Sequence, residues 1–255
     1  MNQHAAVNRI YRLVWSEAAR AWVAVAETSR QRGTCPGGAR LAAVFASLWA
    51  AAAHAGPTSG QVTAGTGTIT QSGSTTTVNQ ATQNLSLNWQ TFNVAPQETV
   101  NFVQPNSAAV AVNRILDSNG SVILGHLDAN GQVYLINPNG VLFGRSAEVN
   151  VGGLVASTLS LNGGISQTES FSGSGSGAVV NEGAITTSTG GSVALLGNYV
   201  RNTGTISARL GTVALGAGSA ATLAFSDTHL VAMQIDQSVL NSEASNGGLI
   251  RADGG

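Results

Sequence analysis

Asn181-Glu182-Gly183-Ala184-Ile185 and Asn202-Thr203-Gly204-Thr205-Ile206 open two copies of one pattern, N-x-G-x-I, followed after a gap by G-x-V-x-L. The second half reads Gly191-Ser192-Val193-Ala194-Leu195 in one copy and Gly211-Thr212-Val213-Ala214-Leu215 in the other, a period of 20 to 21 residues. A third copy begins at Asn246-Gly247-Gly248-Leu249-Ile250. A unit this short holds two or three strands and tight corners. It cannot bury its own apolar face and is stable only when stacked on its neighbours. Strand alternation puts Val193 and Leu195, with Val213 and Leu215, on one face, where stacked coils share a core. The recurring Asn is placed to form an amide ladder at a corner. The expected fold class is all-β, a parallel β-helix or other β-solenoid.

Composition agrees. Beyond residue 55, Gly, Ser, Thr, Asn, Val and Ala dominate, with no lysine, five arginines and ten acids. That mildly acidic balance lacks the dense basic face of a nucleic-acid binder. Cys35 is the only cysteine, so the remainder has neither disulfide nor thiol chemistry. Upstream of the repeat, Thr99-Val100-Asn101-Phe102-Val103, Val110 to Ile115, Val122-Ile123-Leu124 and Val133 to Ile136 read as short strands punctuated by Asn119-Gly120, Asn130-Gly131 and Asn139-Gly140. Asn-Gly also suits two-residue hairpins, but the later repeat favours parallel stacking. Gly163 to Gly177, rich in Gly and Ser, reads as a loop extruded from the solenoid.

Enzymes on solenoids need converging carboxylates. Here Glu98, Asp117, Asp128, Glu148, Glu169, Glu182, Asp227, Asp236, Glu243 and Asp253 are spread singly, mostly in turn contexts where solvation is expected. Asp117 and Asp128 come close only if their segments stack. His126 and His229 have no partner at zinc-ligand spacing, and G-x-S-x-G is missing. Gly216-x-Gly218-x-x-Ala221 follows a strand, yet a dinucleotide fingerprint works only where its glycines open a helix. Thr222-Leu223-Ala224-Phe225 instead reads as another strand. No catalytic, cofactor-binding or metal-binding residue is assigned, and the chain is not expected to be an enzyme.

The first 55 residues read as an export signal. Arg9, Arg12, Arg20, Arg30, Arg32 and Arg40 precede the apolar run Leu41 to Ala52, and Ala53-His54-Ala55 supplies an A-x-A cleavage site with Gly56 as the first mature residue. The run is too short to span a bilayer, which takes about 20 residues. Its long basic part, Asn8-Arg9-Ile10-Tyr11-Arg12-Leu13-Val14-Trp15 and Ala21-Trp22-Val23-Ala24-Val25-Ala26-Glu27, resembles the extended signal peptide region of very large autotransporters and two-partner exoproteins.

Ile136-Asn137-Pro138-Asn139-Gly140-Val141-Leu142-Phe143-Gly144 predicts a type I turn between two strands. Asn137 takes the side-chain-bonding first position, Pro138 pre-sets φ at the second, and Gly140 closes the fourth. With Gln80-Ala81-Thr82-Gln83-Asn84, Trp89-Gln90-Thr91-Phe92-Asn93-Val94, Gln104-Pro105-Asn106-Ser107 and Val112-Asn113-Arg114-Ile115, it resembles the haemagglutination-activity, or two-partner secretion, domain of filamentous-haemagglutinin-type exoproteins of Gram-negative bacteria.

That resemblance implies a right-handed parallel β-helix, with residues 56–162 as the secretion domain after a cleaved 1–55 signal, and residues 163–255 as further coils at the start of the shaft. It also implies Sec-dependent export, then recognition in the periplasm by an outer-membrane β-barrel transporter carrying POTRA domains, with a secreted or cell-surface destination. Asn137, Pro138, Asn139 and Gly140 are carried over as the transporter-recognition motif, with Asn113 and Arg114 as weaker candidates. The family's Asn-Pro-Asn-Leu motif has no literal match; Gln104-Pro105-Asn106 is the nearest string. On this basis the chain is the secretion-targeting and folding-nucleus domain of a large adhesin or haemagglutinin whose surface ligand is unknown. The alternative is a delivery domain for a contact-dependent toxin, cytolysin or haem-acquisition exoprotein whose effector lies beyond residue 255. The third repeat, cut short at Gly255, suggests an N-terminal piece of something longer.

Overall fold

The structure, a computed structural model, describes residues 11–16, 21–26, 56–238 and 242–253. The chain divides into two units, Met1–Ala51 and Ala52–Gly255. In the first, strands Tyr11–Ser16 and Ala21–Ala26 pair antiparallel, with Trp15 in register with Trp22.

The second unit is a parallel β-helix. The described residues form strands and no helix. Sheet one stacks Thr75–Gln80, Thr99–Val103, His126–Ala129, Glu148–Val151, Ala184–Thr187, Thr205–Ser207 and Leu249–Arg251 in parallel. Sheet two stacks Asn84–Trp89, Val110–Ile115, Gln132–Ile136, Gly153–Ser157, Val193–Gly197 and Val213–Ala217. Sheet three stacks Ser121–Ile123, Val141–Phe143, Ala178–Asn181, Tyr199–Asn202 and Glu243–Asn246. At the N-terminal end, Gln61–Ala64 and Gly67–Ser72 pair antiparallel with Asn84–Trp89 and Thr75–Gln80. They cover strand edges that would otherwise be open to association.

Alternation along each strand fills the interior. Leu87, Phe102, Leu127, Leu135, Phe143, Val149, Leu154, Ile185, Val193, Leu195 and Ile206 belong to one buried cluster, with Val213 and Leu215 packed against it. The repeated asparagines stack as expected. Asn181 Nδ2 donates to Asn202 Oδ1 at 2.8 Å, and Asn202 Nδ2 donates to Asn246 Oδ1 at 2.7 Å. An amide ladder suits this corner because each side chain satisfies its neighbour where the sheet hydrogen bonds break. A second ladder escaped the sequence. Gln104 Nε2 donates to Gln80 Oε1 at 3.1 Å and to the Gln132 carbonyl at 3.2 Å.

Two stretches leave the solenoid. Ser160–Asn162, Thr168–Ser172, Ala220–Ser226 and His229–Gln237 make a separate antiparallel sheet. It covers the outer face of sheet two, burying Val112, Tyr134, Ile136, Val155, Ala194 and Leu196 against Leu161, Phe171, Ala221, Leu223 and Leu230. The middle strands of sheet two, Gln132–Ile136, Gly153–Ser157 and Val193–Gly197, are thus buried on both faces, which is why they are apolar at successive positions, whereas Asn84–Trp89 alternates. Gly163 to Gly177 leaves the solenoid as expected, but it is not merely a loop, since Thr168–Ser172 is a strand with Phe171 fully buried.

Candidate functional site

The Asn137–Gly140 turn lies at the corner between sheet two and sheet three, joining Gln132–Ile136 to Val141–Phe143. Gly140 N donates to the Asn137 carbonyl at 3.0 Å, closing the turn. Asn139 keeps a negative φ, so the turn is type I, and Gly140 alone carries a left-handed φ of 116°. Asn137 makes the turn rigid from within. Its Oδ1 accepts from Asn139 N at 2.9 Å, and its Nδ2 donates to the Asn119 carbonyl at 3.1 Å and to Ser121 Oγ at 3.0 Å. It is fully buried, so its side chain has nothing to offer a partner directly.

Outward display falls to the middle of the turn. Pro138 is half-buried and Asn139 is exposed. Asn139 Nδ2 donates to the Asp117 carbonyl at 2.7 Å, which ties the exposed side chain to the coil before. The preceding Asn119-Gly120 segment takes part in the same corner, with Ser121 N donating to the Gly140 carbonyl at 2.9 Å. The motif is therefore one buried organiser and two displayed residues, on a foundation supplied by the coil before.

Asn113 is also an interior residue. It accepts from Trp89 Nε1 at 2.9 Å and donates to the carbonyls of Ala111 at 3.1 Å and Tyr134 at 3.2 Å. These bonds use its amide within the core, beside the edge-to-face pair of Trp89 and Phe92. Arg114 is half-buried on the opposite face of that strand. Ala53 and Ala55 of the cleavage site lie outside the described residues, whereas Gly56 is described and buried.

The acids are placed singly, and two, Glu98 and Glu169, depart from the solvated-turn expectation; Glu98 is buried, with its Oε2 accepting from Ala95 N at 2.8 Å. Asp117 Oδ1 accepts from Asn119 and Asp128 Oδ1 accepts from Asn150, so the two engage different neighbours. His126 Nδ1 sits 3.5 Å from Glu148 Oε2 on an open surface. Gly216 and Gly218 lead into strand Ala220–Ser226, so the glycine pattern opens no helix. Glu169 is the more deeply buried of the two. It is 1% exposed, and its Oε2 is buried without a partner. Burial drives its pKa from 4.5 up to about 7, against hydrogen bonding from the Tyr134 hydroxyl and the Ser166 main chain. Tyr134 in turn is raised well above its usual range by burial and by the Glu169 charge.

A family model described as the TPS secretion domain matches residues 53–255, and one described as the Extended Signal Peptide of Type V secretion system matches residues 8–56. The chain is 34% identical over 209 residues to a heme/hemopexin-binding protein of Haemophilus influenzae, covering 77% of this chain and 23% of that protein. A second heme/hemopexin-binding protein of the same species is 46% identical over 85 residues, 33% of this chain and 9% of that protein. The crystal structure of the HMW1 secretion domain from Haemophilus influenzae matches with a TM-score of 0.72 at 35% identity, covering 78% of this chain and 54% of that chain. The chain thus spans 23% or less of the length of these curated relatives. An extended signal peptide followed by a TPS domain marks secretion through the periplasm and outer membrane. The chain belongs to the TPS secretion-domain family.

Proposed function

We propose that this chain is the secretion address and folding nucleus of a larger exoprotein, with the Asn137–Gly140 corner as its contact for a dedicated outer-membrane β-barrel transporter. In this reading the chain crosses the inner membrane by the Sec route. POTRA domains of the transporter then meet the solenoid corner in the periplasm. One observation carries the assignment of the contact: Asn137 spends its whole side chain on rigidity, so that Pro138 and Asn139 stand out in a fixed geometry. A displayed, pre-ordered turn loses little entropy on binding.

The cargo is an adhesin or haemagglutinin in the first reading. The heme/hemopexin-binding relatives favour a second, in which the same address serves a haem-acquisition exoprotein. Toxin or cytolysin cargo has no such support.

Asn137→Ala and Asn139→Ala separate address from scaffold. Asn139→Ala should lower export several-fold while leaving the circular dichroism spectrum and stability near wild type. Asn137→Ala should instead lose about 2 kcal/mol of stability, because buried bonding groups are left unpaired. The comparison is made on secreted and periplasmic pools beside denaturant melts. Normal export of Asn139→Ala removes the turn as a contact.

A further inference from the structure

Gly56, the first residue expected after signal removal, is buried, as is Pro57. The two open a short strap that joins the first coils of two sheets. Thr58 N donates to the Thr91 carbonyl at 3.0 Å, and Gln90 N donates to the Thr58 carbonyl at 3.0 Å, just past the sheet-two strand Asn84–Trp89. Gly60 lies so close to the Trp89 ring that a Cβ there would overlap it. At the other end of the strap, Gly56 sits among polar side chains of sheet one. A Cβ built on it would lie 3.7 Å from Thr76 Oγ1 and 3.9 Å from Glu98 Oε1. Thr76 belongs to strand Thr75–Gln80, and Glu98 immediately precedes Thr99–Val103.

Thr76 and Glu98 are themselves buried. Glu98 Oε2 accepts from Ala95 N at 2.8 Å, which fixes the carboxylate, and Oε1 is the oxygen on the Gly56 side. His126 donates its N–H to the Glu98 carbonyl at 2.9 Å, but its ring lies beside Glu148 instead.

Hydrolysis of the Ala55–Gly56 bond changes the charge at this spot. Water supplies the oxygen and two hydrogens, and a neutral amide becomes a carboxylate on Ala55 and an α-ammonium on Gly56. A buried charge is tolerated only when it is paired and hydrogen-bonded. The Gly56 nitrogen is two bonds from the Cβ position, so the new ammonium falls beside a carboxylate and a hydroxyl, both able to accept from it. While the signal is attached, the same nitrogen carries no charge.

Resting on the reading that the signal is removed between Ala55 and Gly56, we infer that Glu98 is the docking carboxylate for the new amino terminus, and that signal removal completes the N-terminal cap of the solenoid through this ion pair. The strap is then tied at both ends, to sheet two through Thr58 and to sheet one through Gly56.

Amine labelling of the exported chain tests this. Its start is first read by intact mass. No lysine lies beyond residue 55, so the α-amine is the single primary amine of the exported part and an acylating reagent reports on it alone. Labelling is followed from about pH 6 to about pH 10 in the folded wild type and in Glu98→Gln, which keeps an acceptor for Ala95 N and removes the charge. The rise in labelling should lie about one pH unit higher in wild type, read as labelling about tenfold slower near neutral pH. Coincident or reversed profiles overturn the ion pair and leave signal removal standing. A start other than Gly56 overturns both. As an independent check, each protein is acylated in denaturant, refolded and melted. Acylation should lower the denaturant midpoint of wild type and leave that of Glu98→Gln unchanged, because the pair is already broken there. No drop in wild type, or an equal drop in both, overturns the inference.

Discussion

Residues in this solenoid do their work mainly through burial. Asn137 and Asn113 resemble surface-motif residues in the sequence, yet both are fully enclosed and fully bonded. Asparagine in a strand-and-turn context has two fates, an exposed turn or an internal bridge, and local sequence does not separate them. Glu169 shows the same limit, since Thr168-Glu169-Ser170 reads as a polar surface segment. Only the packing of its own strand, within the covering sheet, against Tyr134 of sheet two buries the carboxylate. Its raised pKa has a definite sign. Below pH 4.5 the group is protonated whether the chain is folded or not, and it costs nothing. Between 4.5 and about 7 the unfolded chain ionises while the folded one holds its proton, so stability falls as pH rises. The full loss is reached above pH 7, and the shift corresponds to about 3 kcal/mol. Glu169→Gln should therefore match wild type near pH 4.5 and exceed it at pH 8 by up to that amount. Denaturant melts at both pH values check it, and parallel curves for the two proteins contradict the burial account.

Among the elements, the stacked coils were legible and the covering sheet was not. Asn181, Asn202 and Asn246 mark equivalent corners, and Val193, Leu195, Val213 and Leu215 share the interior because one short unit is repeated. The spacing from Asn202 to Asn246 is about twice the period because Ala220–Ser226 and His229–Gln237 are inserted between coils. Ala220–Ser226 pairs antiparallel with both His229–Gln237 and Thr168–Ser172, and the only large apolar residue of Thr168–Ser172 is Phe171, too little for a pattern to show. The missing signal lay in sheet two. Val133-Tyr134-Leu135-Ile136 and Val193-Ala194-Leu195-Leu196 are apolar at every position, which a sheet with one wet face does not need. The interior is the more demanding side. Val193 is fully buried between Leu154 and Val213 in the stack. Val193→Asp should destabilise by roughly 3–5 kcal/mol, because it buries a charge without a partner. Unfolding at the wild-type denaturant midpoint would contradict the shared core.

For the molecule as a whole, the address and the route were readable because both are local. The basic segment, apolar run and A-x-A site lie within 55 residues, and the Asn137–Gly140 turn is four consecutive residues. The approach of Gly56 to Glu98 was not readable, since only the fold brings the two together. Processing offers a direct check on the route. Intact mass of the exported protein should begin at Gly56, and a secreted form retaining Trp15 or Trp22 would contradict signal removal.

The central claim is that the solenoid is an address read by an outer-membrane transporter. It is tested most directly by measuring how the full chain partitions between periplasm and medium in paired strains with and without the partner transporter. The expected result is accumulation in the medium only where the transporter is present, with Asn139→Ala held back in the periplasm of that same strain. Equal release into the medium from both strains, with the cell envelope intact, would contradict it.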